Sequence, residues 1–204
     1  MNSKILLPKG YLSWSQIDLW NRSPQQYIDT YILGKERFIN KEMIFGKKVA
    51  DAIETGETDN ENIRSILPKI TRYAVAEYDL KAEIKTDEGV IPLIGKADTA
   101  QYPPSEGLRE YKTGKHPWTQ KRADNHGQIT LYALMIYNRE NRLPQKIHLD
   151  WLETIEKNGE IELTGRIVSF ETQRSMGDLI EMMTLVKRTA SGISSAFNNL
   201  LNQI

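Results

Sequence analysis

The spacing of hydrophobic residues switches from helical to alternating near residue 74, and that switch excludes an all-helical and an all-strand chain alike. Upstream of it, Ile17, Leu19, Trp20, Tyr27, Ile28 and Tyr31 follow an approximate helical period over residues 16–33. Ser13 or Ser15 can cap that helix, and Ser23-Pro24 is a point at which it can divide in two. Residues 42–54 form a second predicted helix, ended by Thr55-Gly56, and residues 61–73 a third that Pro68 kinks or interrupts. Residues 74–86 and 90–101 then alternate as strands around a turn at Asp87-Glu88-Gly89, with a further turn over 102–107. Residues 108–113 make a short strand broken by Gly114. A polar loop leads to a helix over 125–142, stopped before Pro144. Residues 146–154 and 160–170 pair around Lys157-Asn158-Gly159, and residues 172–201 are largely helical. The expected fold is one mixed α/β domain spanning residues 1–204.

Composition removes several chemistries. No cysteine occurs among the 204 residues, so disulfides, thiolate metal sites and a cysteine nucleophile are excluded. The 27 basic and 27 acidic side chains cancel, so the chain as a whole has no bias toward polyanions. The most apolar stretch, residues 129–137, is far shorter than the roughly 20 residues that span a bilayer. The leader Met1-Asn2-Ser3-Lys4-Ile5-Leu6-Leu7-Pro8 has no apolar region long enough for a secretory signal, so a cytoplasmic location without membrane contact is expected.

The residues able to do chemistry fall in one ordered set. It comprises Gly95-Lys96-Ala97-Asp98, then Glu110-Tyr111-Lys112-Thr113-Gly114, then Gln128 and Tyr132. Residues two apart on a strand share a face, so Glu110 and Lys112 project together. Asp98 lies 110 − 98 = 12 residues upstream of Glu110, an interval that a strand, a turn and a return strand fill. Asp98 and Glu110 can therefore lie side by side as a hard-oxygen site for Mg²⁺ or Mn²⁺. The Lys112 ammonium beside them can orient an attacking water or offset phosphate charge. Gln128 and Tyr132, four apart, share a helix face. Taken singly, Glu110 and Lys112 read as a solvated strand pair, and Gln128 and Tyr132 as ordinary helix positions. The order of the set is what makes it specific.

That order resembles the PD-(D/E)XK nuclease superfamily, in particular its RecB-type exonuclease branch, over most of the chain. Ser13-Trp14-Ser15-Gln16-Ile17 with Pro24-Gln25-Gln26-Tyr27 looks like the family's opening helix, and Gly46-Lys47-Lys48-Val49 like its next motif. The resemblance implies a restriction-endonuclease-like core, a central mixed β-sheet flanked by helices. It implies a divalent metal, Mg²⁺ or Mn²⁺, held by Asp98, Glu110 and the backbone carbonyl of Tyr111. Lys112 would support the nucleophilic water, and Gln128 and Tyr132 would position DNA and the active-site network. The implied activity is metal-dependent hydrolysis of DNA phosphodiesters, with exonuclease action expected. Homo-oligomers and helicase or recombination partners both occur among relatives, in settings that include CRISPR adaptation, recombination and phage replication.

Two departures stand out. The family commonly has a histidine ligand four residues after the motif glycine, where this chain has Ala50; Asp51 or Glu54 on the same helix are candidate substitutes. The cysteines that hold a 4Fe–4S cluster in several relatives are absent, so no such cluster is expected. Glu77 and Glu83 share a strand face, either as solvated positions or, for Glu77 by preference, as a further metal carboxylate. Lys47, Lys48, Lys115, Lys121 and Arg122, with Trp118 and His116 interleaved, are candidate DNA contacts, since cations serve phosphates and an aromatic stacks on bases. The alternative for them is a solvated approach to a helix with Trp118 partly buried. Two other functions compete: a non-catalytic nucleic-acid-binding module on the same fold, motivated by Ala50, and an interaction protein docking through Ile180, Met182, Met183, Leu185 and Val186.

Overall fold

The computed structural model describes residues 5–202; residues 1–4 of the leader and 203–204 lie outside the described residues. The opening helical stretch divides into three. Helix α1 (Trp14–Arg22) ends before Ser23, whose side chain caps the short α2 (Pro24–Tyr27), and a π-helical turn follows over Ile28–Ile32. Ser13 occupies the N-cap of α1, but its hydroxyl meets Ser15 Oγ at 3.0 Å and not the helix backbone. Helix α3 (Lys41–Thr55) is capped by the Asn40 side chain and closed by Gly56 in the left-handed conformation. Helix α4 (Glu61–Ile66) stops earlier than the spacing predicts. Pro68 offers no N–H and restricts the residue before it, so Leu67–Lys69 tighten into a 3₁₀ turn.

Five strands then form one mixed sheet in the order β1-β2-β3-β4-β5. β1 (Val75–Thr86) and β2 (Gly89–Ala100) are a long antiparallel hairpin. β3 (Leu108–Gly114) runs antiparallel to β2 and parallel to β4 (Ile147–Lys157), which pairs with β5 (Glu160–Thr172). Gly114 continues β3 where the sequence predicted a break, because the chain stays in register with Glu153 of β4. The β3–β4 crossover holds α5 (Gln120–Asp124), a single turn too short to show as a period, and α6 (Gly127–Glu140). β5 extends to Thr172, so α7 (Met176–Leu201) starts later than residue 172, at a Ser175–Asp178 capping box.

Helices cover both faces. On one, α1, α6 and α7 pack Ile17, Leu131, Met135, Val186 and Ile193 against Leu80, Leu93 and Leu108. On the other, α3 and α4 bring Val49, Ile53 and Ile63 onto Tyr111, Leu152 and Leu163. Every residue from Ile129 to Ile136 is buried, which makes α6 a central helix clasped on all sides. Gly127 at its first turn permits this: a Cβ there would sit 2.0 Å from Cη2 of Trp14. Met182 and Val186, read as a docking side, lie in the core, while Ile180 is exposed. Among the described residues no helix is long and apolar enough to cross a membrane.

Candidate active site

β2 and β3 are joined at only two positions, Thr99 opposite Arg109 and Ala100 opposite Leu108. Beyond them the strands splay, and the side chains singled out from the sequence fill the gap. One further step along the register brings Asp98 level with Glu110. Asp98 Oδ2 accepts the Tyr111 amide at 2.8 Å, taking the place of a missing ladder partner. A strand residue directs its N–H and C=O to the same neighbour, so the Tyr111 carbonyl also faces the gap. The Tyr132 hydroxyl donates to the Lys96 carbonyl at 2.7 Å, and Leu12 hydrogen-bonds with Pro92 and Ile94 farther along the open edge of β2. Gly95 is required here, because a Cβ would lie 2.6 Å from Cε1 of Tyr132.

The network is continuous. Lys112 Nζ donates to Glu110 Oε1 and to Gln128 Oε1, each at 2.8 Å. Gln128 Nε2 donates to Glu110 Oε1 and to the Tyr132 hydroxyl, each at 2.7 Å. Both its amide groups are thus committed, and the carboxamide orientation is fixed. Glu110 is 4% exposed, and its Oε2 is buried without a hydrogen-bond partner. Burial, then the charge of Glu110, drives the Asp98 carboxyl well above the usual carboxylate range, against the opposing pull of Lys112 and the Tyr111 amide. Burial works against the Lys112 ammonium too, but Glu110 and Asp98 outweigh it and hold its pKa above the ordinary lysine value. Two crowded carboxylates, one with an orphaned oxygen, make a place for a cation.

An open cleft of about 570 Å³ leads to these groups, bordered by α3 through Asn40, Gly46 and Ala50. Among the described residues no three His, Cys, Asp or Glu side chains converge as a metal cage. Asp98, Glu110 and the Tyr111 carbonyl offer two carboxylates and a carbonyl, hard oxygens whose chemistry would fit Mg²⁺ or Mn²⁺ retaining several waters and would not fit a softer metal. Ala50 lines the cleft and adds no donor, and neither Asp51, paired with Lys47 at 3.1 Å, nor Glu54 borders it. Glu77 sits across β1 from Asp98 with a positive φ of 49°, but its carboxylate is turned to Lys96 Nζ at 2.8 Å. It adds to the charge that Asp98 feels without joining the donor set. Glu83 is separate from the cleft.

The candidate DNA contacts divide. Lys47 borders the cleft, whereas Lys48 lies beside Gly159 and Glu160, away from it. Lys115 is exposed and bonded to Glu156 at 2.9 Å, with Glu42 at 3.6 Å. Lys121 and Arg122 are exposed on α5. Trp118 is no open stacking surface: it is half-buried against Ala123, Ile129, Ile147 and Leu149, and the Arg122 guanidinium lies 4.0 Å over its ring. His116 is exposed in the same loop.

Two features of the site were not legible in the sequence. His126, next to Gln128, has its pKa pushed down to about 3 by burial and by Lys112, Arg174 and Arg122, so it is neutral. Arg174, 6% exposed, donates to Thr130, Thr172 and the carbonyls of Gln173, Ala123 and His126, locking the α5–α6 junction that carries Gln128. A lone arginine between a strand and a helix gives no local signal of such a role.

No family model and no curated protein matches the chain. Among solved structures it is similar in fold to SSO0001, with a TM-score of 0.51 and 15% identity over 86% of this chain and 69% of that one. LHK-Exo in complex with dAMP aligns with a TM-score of 0.49 and 14% identity, over 96% of this chain and 94% of that one. A phage-related exonuclease from Haemophilus somnus 129PT aligns with a TM-score of 0.49 and 13% identity, over 89% and 82% of the two chains. The architecture is an α/β fold with a five-stranded mixed sheet flanked by helices.

Proposed function

We propose that the chain is a divalent-metal-dependent nuclease of the PD-(D/E)XK type that hydrolyses phosphodiester bonds in DNA. The observation that carries the reading is the closed network of Glu110, Lys112, Gln128 and Tyr132 around a buried, unpartnered Glu110 Oε2 beside Asp98. Asp98, Glu110 and the Tyr111 carbonyl would hold Mg²⁺ or Mn²⁺. When bound, that ion supplies Lewis acidity, easing deprotonation of water and offsetting charge on the phosphate. The remaining work belongs to side chains. An ammonium has three donors, and Lys112 spends two on Glu110 and Gln128, leaving one for an attacking water or a phosphate oxygen. Gln128 keeps Lys112 and Glu110 in fixed relation, and Tyr132 ties Gln128 to β2.

The test is digestion of end-labelled single- and double-stranded DNA, linear and circular, with Mg²⁺ or Mn²⁺ and with chelator. Metal-dependent cleavage is expected, confined to linear substrates if the enzyme is an exonuclease. Mn²⁺ binding, followed by electron paramagnetic resonance, should disappear when Asp98→Asn and Glu110→Gln are combined. Binding of DNA with no cleavage under either metal would replace this reading with that of a non-catalytic binding module.

A further inference from the structure

The segment joining the π-helical turn to α3 is exposed at every residue from 33 to 39 and has no regular secondary structure, although it is rich in apolar side chains. Phe38 is 82% exposed, Ile39 59% and Leu33 53%, and the first turns of α3 add Met43 and Ile44. Isolated exposed apolar residues need no explanation, but a contiguous group beside a polar cleft marks a place where something binds. Phe38 and Met43 of this group border a groove of about 410 Å³, a volume typical of small-ligand sites. Met43 lines both the groove and the active-site cleft, so the two are neighbours.

We propose that this groove holds the unpaired bases of the polynucleotide strand whose phosphate enters the cleft, with the Phe38 ring as a stacking surface and Arg37 beside it for the backbone. The proposal rests on the nuclease reading and adds to it a substrate class: a strand with unstacked bases next to the scissile phosphate. Three observations favour bases over another protein as the occupant. The groove adjoins the cleft that holds the carboxylate–lysine cluster, with Met43 at their common border, so a strand entering one can continue into the other. Its cations outnumber its acids, Arg22, Lys35 and Arg37 against Asp29 and Glu36. Arg37 makes no hydrogen bond or ion pair among the described residues, and the ion pairs of Arg22 with Asp18 and Lys35 with Asp29 are solvent-exposed and readily exchanged. Aromatic stacking with flanking cations binds single strands without regard to sequence. Trp118, the aromatic residue favoured from sequence for this role, has its ring covered by Arg122, whereas Phe38 is open.

The experiment measures binding of a fluorescent oligothymidylate to the Lys112→Ala protein without divalent metal, so that it does not depend on turnover. Adding Phe38→Ala should weaken binding roughly tenfold or more, and Phe38→Trp should restore it with quenching of the new indole emission by bound bases. On the Lys112-intact protein, Phe38→Ala should raise KM for oligonucleotides and leave Mn²⁺ binding, followed by electron paramagnetic resonance, unchanged. Equal oligonucleotide affinity with and without Phe38 overturns the proposal. So does a Phe38→Ala protein that binds normally but has lost self-association in light scattering, since the patch would then join copies of the chain. Absence of oligonucleotide hydrolysis by the unaltered protein overturns the nuclease reading, and the metal-free binding comparison separates that failure from failure of the groove.

Discussion

Arg109 and Glu110 are neighbours on β3, both buried, and they project from opposite faces of the sheet into opposite circumstances. Arg109 Nη1 reaches both oxygens of Asp150, at 2.7 and 2.6 Å, and Ser169 Oγ at 3.3 Å, with the Tyr73 ring 5.2 Å from its guanidinium carbon. Its charge is matched by a carboxylate as buried as itself. Glu110 has Lys112 and Gln128 on one oxygen and nothing on the other, with Asp98 alongside repelling it. The charge of the first arrangement is matched inside the fold, although Arg109 Nε is buried without a hydrogen-bond partner. The second is left incomplete by the protein and is completed only from outside. Two buried charges on one strand thus separate a structural pair from a site, and the criterion is partner availability, not burial.

The sharpest way to break this contrast is to remove Lys112. Lys112→Ala should cut metal-dependent hydrolysis by roughly a hundredfold or more and, because it strands the buried Glu110 carboxylate, lower the melting temperature as well; cleavage at the original rate by the folded protein would end the assignment. The opposite outcome is expected across the strand. Asp150→Ala strands the Arg109 charge and should cost ~3–5 kcal/mol in chemical denaturation, with kcat of the protein that remains folded little changed. Smaller is the effect of Asp98→Asn, whose carbonyl can still accept the Tyr111 amide. Relieved of a charge that burial and Glu110 disfavour, the metal-free protein should gain ~1 kcal/mol of stability while losing activity. A loss of stability there would mean that the site is closed like the Arg109 pair.

The smallest effect is one of pH. The folded pKa of His126 lies near 3, below its unfolded value of about 6.5, so the unfolded chain binds the extra proton between those limits. Stability should therefore fall as pH drops through that window, and His126→Gln should flatten the fall in thermal melts taken from pH 7 to pH 4. The histidine should also show no titration by NMR between pH 5 and 8.

Much of the architecture was legible because it is written in local periods. The hairpin of β1 and β2, the cap at Gly56 and the helix that became α6 all follow from spacing and turn residues within a few positions. The set Asp98, Glu110, Lys112, Gln128 and Tyr132 was also legible, because strand alternation and helical repeat put each pair on one face before any tertiary contact forms. Helix α5 and the cover of Arg122 over Trp118 were not legible, whereas Pro68 already marked the interruption after Ile66 and partial burial of Trp118 was one of two open readings. A five-residue helix has no period, and whether a ring is covered depends on which side chain lies over it.

The sequence by itself determined the order of elements, the faces on which the carboxylates and the lysine lie, and the absence of any thiol chemistry. Tertiary structure alone decided that β2 and β3 part after two pairs, that Glu77 turns to Lys96, that Lys48 lies off the cleft, and that Arg109 is matched while Glu110 is not. The physical reason is distance along the chain. Facing is set by bonds between residues two or four apart. Satisfaction of a buried charge depends on partners such as Tyr111 for Asp98, 13 residues away, or Asp150 for Arg109, 41 residues away, which only packing brings together.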